Sequence, residues 1–357
     1  MTSPLQTQGA APAPENSPDA GVAWHYGDPF AEQRAASTAA VVVDRSNRGL
    51  IAVPGADRLS WLHSLTSQHL TELADGEGTE ALLLDINGRV EHHMVLANLD
   101  GTTWIDTEAA GTEALLAYLQ KMVFWADAQP RDAHDELAML SVQGPMADQL
   151  LELPGDVYGV SALPGGGYVR RMPAPEGSHA ADLLVPRAEL GQWWARLTTA
   201  GARAAGSWAF EALRVEALRP RAGVDTDERT IPHEVGWIGT AVHLDKGCYR
   251  GQETIARVHN LGKPPRRMVL LHLDGSADGR PETGDDVTVD GRAVGRVGTV
   301  VDHHELGPIA LALIKRSVPV DTELRAGPCA AAIDPASLAE EQREQAGRAA
   351  VSKLRGR

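Results

Sequence analysis

The sequence predicts an α+β fold. Helices and antiparallel strands mix irregularly up to about residue 265, and a small antiparallel β-barrel follows. Three observations predict it. Asn-Gly and Asp-Gly pairs separate strand-like runs in GTEALLLDINGRVEHHMVLANLDGTTWIDT, which is hairpin chemistry. Amphipathic helices such as AGTEALLAYLQKMVFWA fall between these runs without a steady βαβ rhythm. Beyond Pro264-Pro265, short strands arrive at close spacing with Gly, Asp and Pro between them: RRMVLLHL, DDVTVDG, RAVGRVGTVV, GPIALALI and TELRA.

Residues 1–22 hold Ala, Pro, Ser, Gln and Gly, too little apolar surface for a core, and are expected to be a disordered tail. A short helix is expected over 31–41. Two strands follow in VVVDRSNRGLIAVPG. Asp57 stands at the N-cap position of RLSWLHSLTSQHL, where Leu59, Leu62 and Leu65 recur at helical spacing. LAMLSVQGP reads as strand and turn, MADQLLELP as a helix stopped by Pro154, GGGYVRRMP and HAADLLVP as strands. AELGQWWARLTTAG reads as a helix closed by Gly201. ASLAEEQREQAGRAAVSKLRGR reads as a polar terminal helix. The expected organisation is a tail (1–22), a mixed region of two interleaved α+β subdomains (23–265), a barrel (266–334) and a terminal helix or tail (335–357).

The chain has 357 residues, 43% of them hydrophobic, and a formal net charge of −15. Such acidity repels a phosphate backbone, so direct DNA binding is not expected. No apolar run approaches the roughly 20 residues of a membrane-spanning helix. The N-terminus lacks the basic and apolar regions of a secretory signal. Two cysteines about 80 residues apart form no disulfide framework, and the expected location is cytoplasmic. There is no G-x-G-x-x-G, P-loop, His-Glu-x-x-His or Cys-x-x-Cys pattern, and no metal site is expected.

The most reactive side chain lies in DKGCYRGQE, residues 245–253. Thiolate is the nucleophilic form of cysteine. Lys246 and Arg250 flank Cys248 two residues away on either side, and Arg257 follows. Their positive charge favours an ionised sulfur. Gly247 and Gly251 permit sharp turns and close approach of a ligand. A helix over 252–258 would set Cys248 just before a helix N-terminus, which also favours an anion. Cys329, in AGPCAAAI, has apolar neighbours and reads as a core residue.

KGCYRGQE, followed by ARVHNLGKPPRRM, resembles the signature of the YgfZ family of folate-binding proteins, relatives of the glycine-cleavage T-protein (aminomethyltransferase). GLIAVPGADRLSWLHSLTSQHL, EALRVEALRPRAGVDTDERTIPHEVGW and the barrel segment extend the similarity over roughly residues 23–333. The resemblance implies a T-protein-like folate-binding ring of mixed sheets and helices with a C-terminal barrel. It implies tetrahydrofolate as cofactor, with Glu216 of the "LRxE" motif on the pterin edge and Lys246, Tyr249, Arg250, Gln252 and Arg257 around it. Cys248 would be the acting thiol.

The implied role is support of iron–sulfur cluster assembly or repair, with a transient cluster and with assembly proteins or client enzymes as partners. The alternatives are a folate-dependent aminomethyltransferase or methyltransferase, and a non-catalytic folate-binding scaffold linked to tRNA modification. T-proteins carry an Asp-Asp pair where this chain has His92-His93. An imidazole cannot hold a cationic amine as a carboxylate does, so aminomethyl transfer is expected to be lost.

Overall fold

The computed structural model describes residues 3–338. They divide into two compact units. The first comprises Met1–Leu213 with Glu228–Gly262, and the second Arg214–Asp227 with Lys263–Arg357.

Two large, mainly antiparallel sheets build the first unit. One has five strands, in the order Glu77–Leu84, Val90–Leu99, Thr102–Thr107, Gly49–Pro54 and Arg131–Asp132. The other has six, in the order Val160–Ala162, Tyr168–Met172, His179–Pro186, Leu137–Gly144, Val41–Asp44 and Arg203–Ala205, the last pairing parallel. Hairpin chemistry sets the five-stranded sheet. Asp100 and Gly101 both adopt positive φ, 49° and 74°, the left-handed pair that a tight hairpin turn requires. In the preceding hairpin Asp85 accepts hydrogen bonds from the backbone N–H of Asn87 and of Arg89, and Gly88 turns at φ 75°.

Strand alternation then sorts the side chains. Ala81, Leu83, Met94, Leu96 and Ile105 pack one face of the five-stranded sheet against the helices Arg58–Leu65 and Thr112–Lys121. Leu50, Ala52 and Ala97 on the other face join Leu137, Met139, Tyr168 and Leu184 of the six-stranded sheet, so the two sheets lie face to face. Trp193, Trp194 and Leu197 of the helix Leu190–Thr199 cover the far side of the six-stranded sheet.

A polar network crosses the same inter-sheet core. Arg170, with no exposed side-chain surface, donates to Asp106 at 2.6 Å and to Asp182 at 3.1 Å, and Arg48 donates to Asp106 at 2.9 Å and also to Glu108. Burial works against the Asp106 carboxylate, yet the two guanidiniums overcome it and hold the group below the usual aspartate range.

Three expectations change. Residues 3–22 are not a loose tail: Ala11–Pro12 pairs with Ala23–His25, and Ala13 and Val22 are buried. The segment cannot build a core of its own, but it borrows one from the first unit, with the Tyr26 hydroxyl donating to the Pro4 carbonyl and the Asn47 side chain to that of Pro18. Asp57 occupies the N-cap position of Arg58–Leu65 without a side-chain cap; its carboxylate accepts instead from the Asp127 backbone N–H at 2.8 Å. The terminal helix expected over 335–357 lies mostly outside the described residues. Within them, Pro335–Leu338 is a 3-10 turn with Leu338 buried in the barrel core.

The second unit is a closed six-stranded barrel: Arg266–Leu273, Gly307–Lys315, Arg292–His303, Asp286–Val289, Leu324–Ala326 and Cys329–Ile333. Val269, Leu271, Val297, Ala312 and Cys329 fill it. Cys329 is fully buried, as its apolar neighbours suggest. The segment Arg214–Asp227, placed by sequence with residues 23–265, is stitched to the barrel by charge. Arg214 donates to Asp225 at 2.8 Å and to Thr299 at 2.5 Å, and Arg266 forks onto both oxygens of Asp227 at 2.6 and 3.0 Å.

No helix of the described residues is long and apolar enough to cross a membrane.

Candidate functional site

The signature loop divides into residues that hold it and residues that face outward. Lys246 is a holding residue. Its side chain is buried, and Nζ donates to the carbonyls of His63 at 2.5 Å, Thr66 at 2.6 Å and Gln68 at 2.9 Å. Three donors thereby meet three acceptors at the C-terminal end of the helix Arg58–Leu65, where a cation also complements the helix dipole. Burial pushes this ammonium down to about 8. The ammonium expected to line a folate site and to favour a thiolate at Cys248 thus has its three donors committed to the fold.

Tyr249 is also turned inward, 8% exposed, with the Lys246 ammonium 5.3 Å from its ring centroid. Burial pushes its phenol up to about 12. It packs the loop and presents no open aromatic wall. Gln252 closes the loop from the other end, its amide N–H donating to the Lys246 carbonyl at 3.4 Å.

The two glycines differ in purpose. Gly251 turns at φ 83°, and a Cβ there would lie 2.6 Å from the Asp85 carbonyl oxygen and 2.6 Å from Gly88 Cα. The loop therefore lies backbone to backbone against the Asp85–Arg89 hairpin. Gly247 is not at positive φ, and a Cβ there would meet nothing within 4 Å. It leaves the backbone beside Cys248 open.

Cys248, Arg250 and Arg257 face outward. Cys248 is a free, exposed thiol. Arg250 pairs with Glu91 at 3.0 Å, a second tie to the strand Val90–Leu99. Arg257 is exposed on the helix Gln252–Leu261 and has no ion pair among the described residues. The expected helix after the cysteine thus exists, opening four residues beyond it at Gln252.

Alternation sends His92 and His93 to opposite faces of the sheet. His92 lies on the helix side, close to Gly111, and burial lowers its affinity for a proton. His93 lies on the inter-sheet side. It stacks on Trp237, with centroids 4.7 Å apart and planes 10° from parallel, and its Nε2 meets Glu80 Oε2 at 3.1 Å. Glu80 also accepts from the Tyr158 hydroxyl. Sequence reasoning missed Glu80, Tyr158 and Trp237. Only the hairpin register, which pairs Glu80 with Val95 and Leu82 with His93, brings the carboxylate onto the face of the imidazole.

Glu216 belongs to the second unit. Half its side-chain surface is open, and it meets His303 Nε2 at 3.4 Å. The His303 imidazole beside it holds its carboxyl below the usual glutamate range. Among the described residues, no group of three or more His, Cys, Asp or Glu side chains is placed to hold a metal ion.

A family model described as the GCVT N-terminal domain matches residues 22–157. An aminomethyltransferase of Rubrobacter xylanophilus is 30% identical over 305 residues, 82% of this chain and 80% of that relative. The chain belongs to the aminomethyltransferase family. A second member of similar extent, from Streptomyces avermitilis, is 28% identical over 314 residues. A chloroplastic protein of Arabidopsis thaliana named as a transferase is 28% identical over 273 residues, and the chain spans 61% of its length. In fold the chain follows the glycine cleavage system aminomethyltransferase T of Bartonella henselae, with a TM-score of 0.80 over 93% of this chain and 96% of that one at 20% identity. The α+β organisation and terminal barrel are therefore those of the aminomethyltransferase fold.

Proposed function

We propose that this aminomethyltransferase-family protein binds a reduced folate and serves iron–sulfur cluster assembly or repair through the Cys248 thiol, not aminomethyl transfer. The observation that carries this reading is the exposed Cys248 on a loop pinned by Lys246, Gln252 and Gly251. A fold that commits a buried ammonium to holding a loop presents the outward side chain in a fixed place, which is what a reacting thiol needs. The histidines His92 and His93, where the resemblance implies an acidic pair, agree with this reading, because an imidazole does not hold a cationic amine as a carboxylate does.

In the first unit Arg257 is an exposed cation able to meet the carboxylate tail of a folate. The folate would supply the one-carbon or reducing chemistry; this side chain would help to bind and orient it. The cluster is cargo, since one exposed thiol cannot supply four ligands.

Titration with tetrahydrofolate, with the alkylation rate of Cys248 followed in parallel, tests the reading. Saturable binding that slows alkylation supports it. A Cys248→Ser variant that fully supports iron–sulfur enzyme activity in cells lacking the wild-type protein removes the thiol from the mechanism. Folate binding with an inert Cys248 leaves the scaffold reading. The relatives' names favour a second reading, aminomethyl transfer. Methylene transfer from an aminomethylated lipoyl carrier to tetrahydrofolate would establish that reading in place of the first.

A further inference from the structure

The cluster around His93 contains more than a replacement for an aspartate. Glu80 reaches across from the neighbouring strand and places a carboxylate one hydrogen bond behind the imidazole, 3.1 Å from Nε2. A carboxylate only accepts, so Nε2 donates to it, and in the neutral ring Nδ1 then carries the lone pair. Nδ1 has no partner among the described residues and is absent from the buried polar atoms that lack one. The His93 side chain keeps 15% of its surface accessible, so the second nitrogen is open to a ligand.

The supports are themselves fixed. Trp237 is buried and holds the ring plane by stacking. Tyr158 adopts φ 65°, a conformation a bulky side chain rarely takes, and donates its hydroxyl to Glu80. Its backbone N–H is held on the Arg171 carbonyl at 2.8 Å. Base, orienting carboxylate and a third group behind the carboxylate form the chain of contacts that sets a histidine to receive a proton.

We infer that His93 is the ligand-facing proton acceptor of the first unit, with Glu80 and Tyr158 as its positioning residues. The inference rests on the reduced-folate reading and deepens it. His93 Nδ1 accepts a hydrogen bond from an N–H of the bound reduced folate. When that group is protonated, Nδ1 takes the proton: the ligand N–H bond breaks, its electron pair stays on the ligand nitrogen, and the new imidazolium is compensated by Glu80. A lone aspartate would instead hold the ligand's positive charge in place. The arrangement therefore favours neutral over cationic amines.

The test uses the full-length protein labelled with nitrogen-15, and 5-formyltetrahydrofolate as a chemically stable probe. Long-range proton–nitrogen correlation spectra report the tautomer of each histidine ring, and a His93→Phe variant, which keeps the stacking, assigns the His93 signals. The expected wild-type tautomer is Nε2–H, with Nδ1 shifting when the probe binds. Glu80→Gln keeps an acceptor, so tautomer and affinity persist. Glu80→Leu should scramble the tautomer, and both it and His93→Phe should weaken the probe roughly fivefold, the effect of one hydrogen bond. An Nδ1–H tautomer in the wild type, or probe binding that leaves the His93 nitrogens unmoved, overturns the inference and spares the folate reading. Absence of binding to the wild-type protein overturns both.

Discussion

Lys246→Met is the sharpest perturbation of the signature loop. Methionine keeps the length and apolar stem of lysine and removes all three donors. Hydrogen bonds to a charged group are each worth about 1.5–3 kcal/mol. Against them stands the several kcal/mol cost of taking an ammonium out of water, which methionine would recover. Lys246 is 4% exposed and contacts three carbonyls at 2.5–2.9 Å. The surviving difference is about 3 kcal/mol, because three buried carbonyls lose a donor at about 1–3 kcal/mol each while part of that loss is offset by the recovered desolvation of the ammonium. For a unit of this size that amounts to a fall in Tm of about 6–12 °C. Thermal unfolding measures it, and the reaction rate of Cys248 with a thiol reagent should rise as the loop loosens. If Lys246 instead served a cofactor's acidic tail, the variant would unfold within about 2 °C of wild type and bind reduced folate more weakly, in a salt-dependent way. That result would refute the latch.

Two further outcomes are expected. Gly251→Ala adds the strain of a side chain at positive φ, about 1–2 kcal/mol, to a backbone clash at 2.6 Å, and should destabilise the protein by at least ~2 kcal/mol in urea titration, while Gly247→Ala should stay within ~0.5 kcal/mol. Asp106 is held below the usual aspartate range in the folded state, so its ion pairs stabilise above the ordinary aspartate value of about 3.9, and that stability is lost as pH falls through the folded value. Asp106→Asn should cost about 3–5 kcal/mol near neutrality, because Arg170 and Arg48 lose a buried partner, and should flatten the acid limb of the stability profile.

Local chemistry made much of the fold legible. Asp100-Gly101 and Asn87-Gly88 announced hairpins because Asp100, Gly101 and Gly88 take left-handed conformations that few other residues adopt. The barrel was legible because apolar strand runs alternate with turns rich in Gly, Asp and Pro. Residues 3–22 were not legible, because their order comes from surface supplied by distant residues such as Tyr26 and Asn47. The site was half legible. Cys248 stood out by its neighbours, and it is exposed. The purpose of those neighbours was hidden, since composition does not tell a lysine that meets a ligand from one that meets three carbonyls. Glu80 was hidden for another reason: it lies 13 residues from His93, and only the register of the hairpin joins them.

These hidden contacts explain why the loop and the altered strand belong to one device. Gly251 rests on the turn at Asp85 and Gly88, and Arg250 reaches Glu91, the residue before the histidine pair. A shift in the hairpin register would move His93 off Glu80 and would also remove the surface on which Gly251 turns. The same contacts that set the thiol's position therefore set the imidazole's tautomer. A Gly251 substitution should disturb the His93 nitrogen signals, although no side chain of residue 251 touches that ring. A purely local role for the signature loop predicts no such disturbance, and the nitrogen spectra of Gly251→Ala decide between the two.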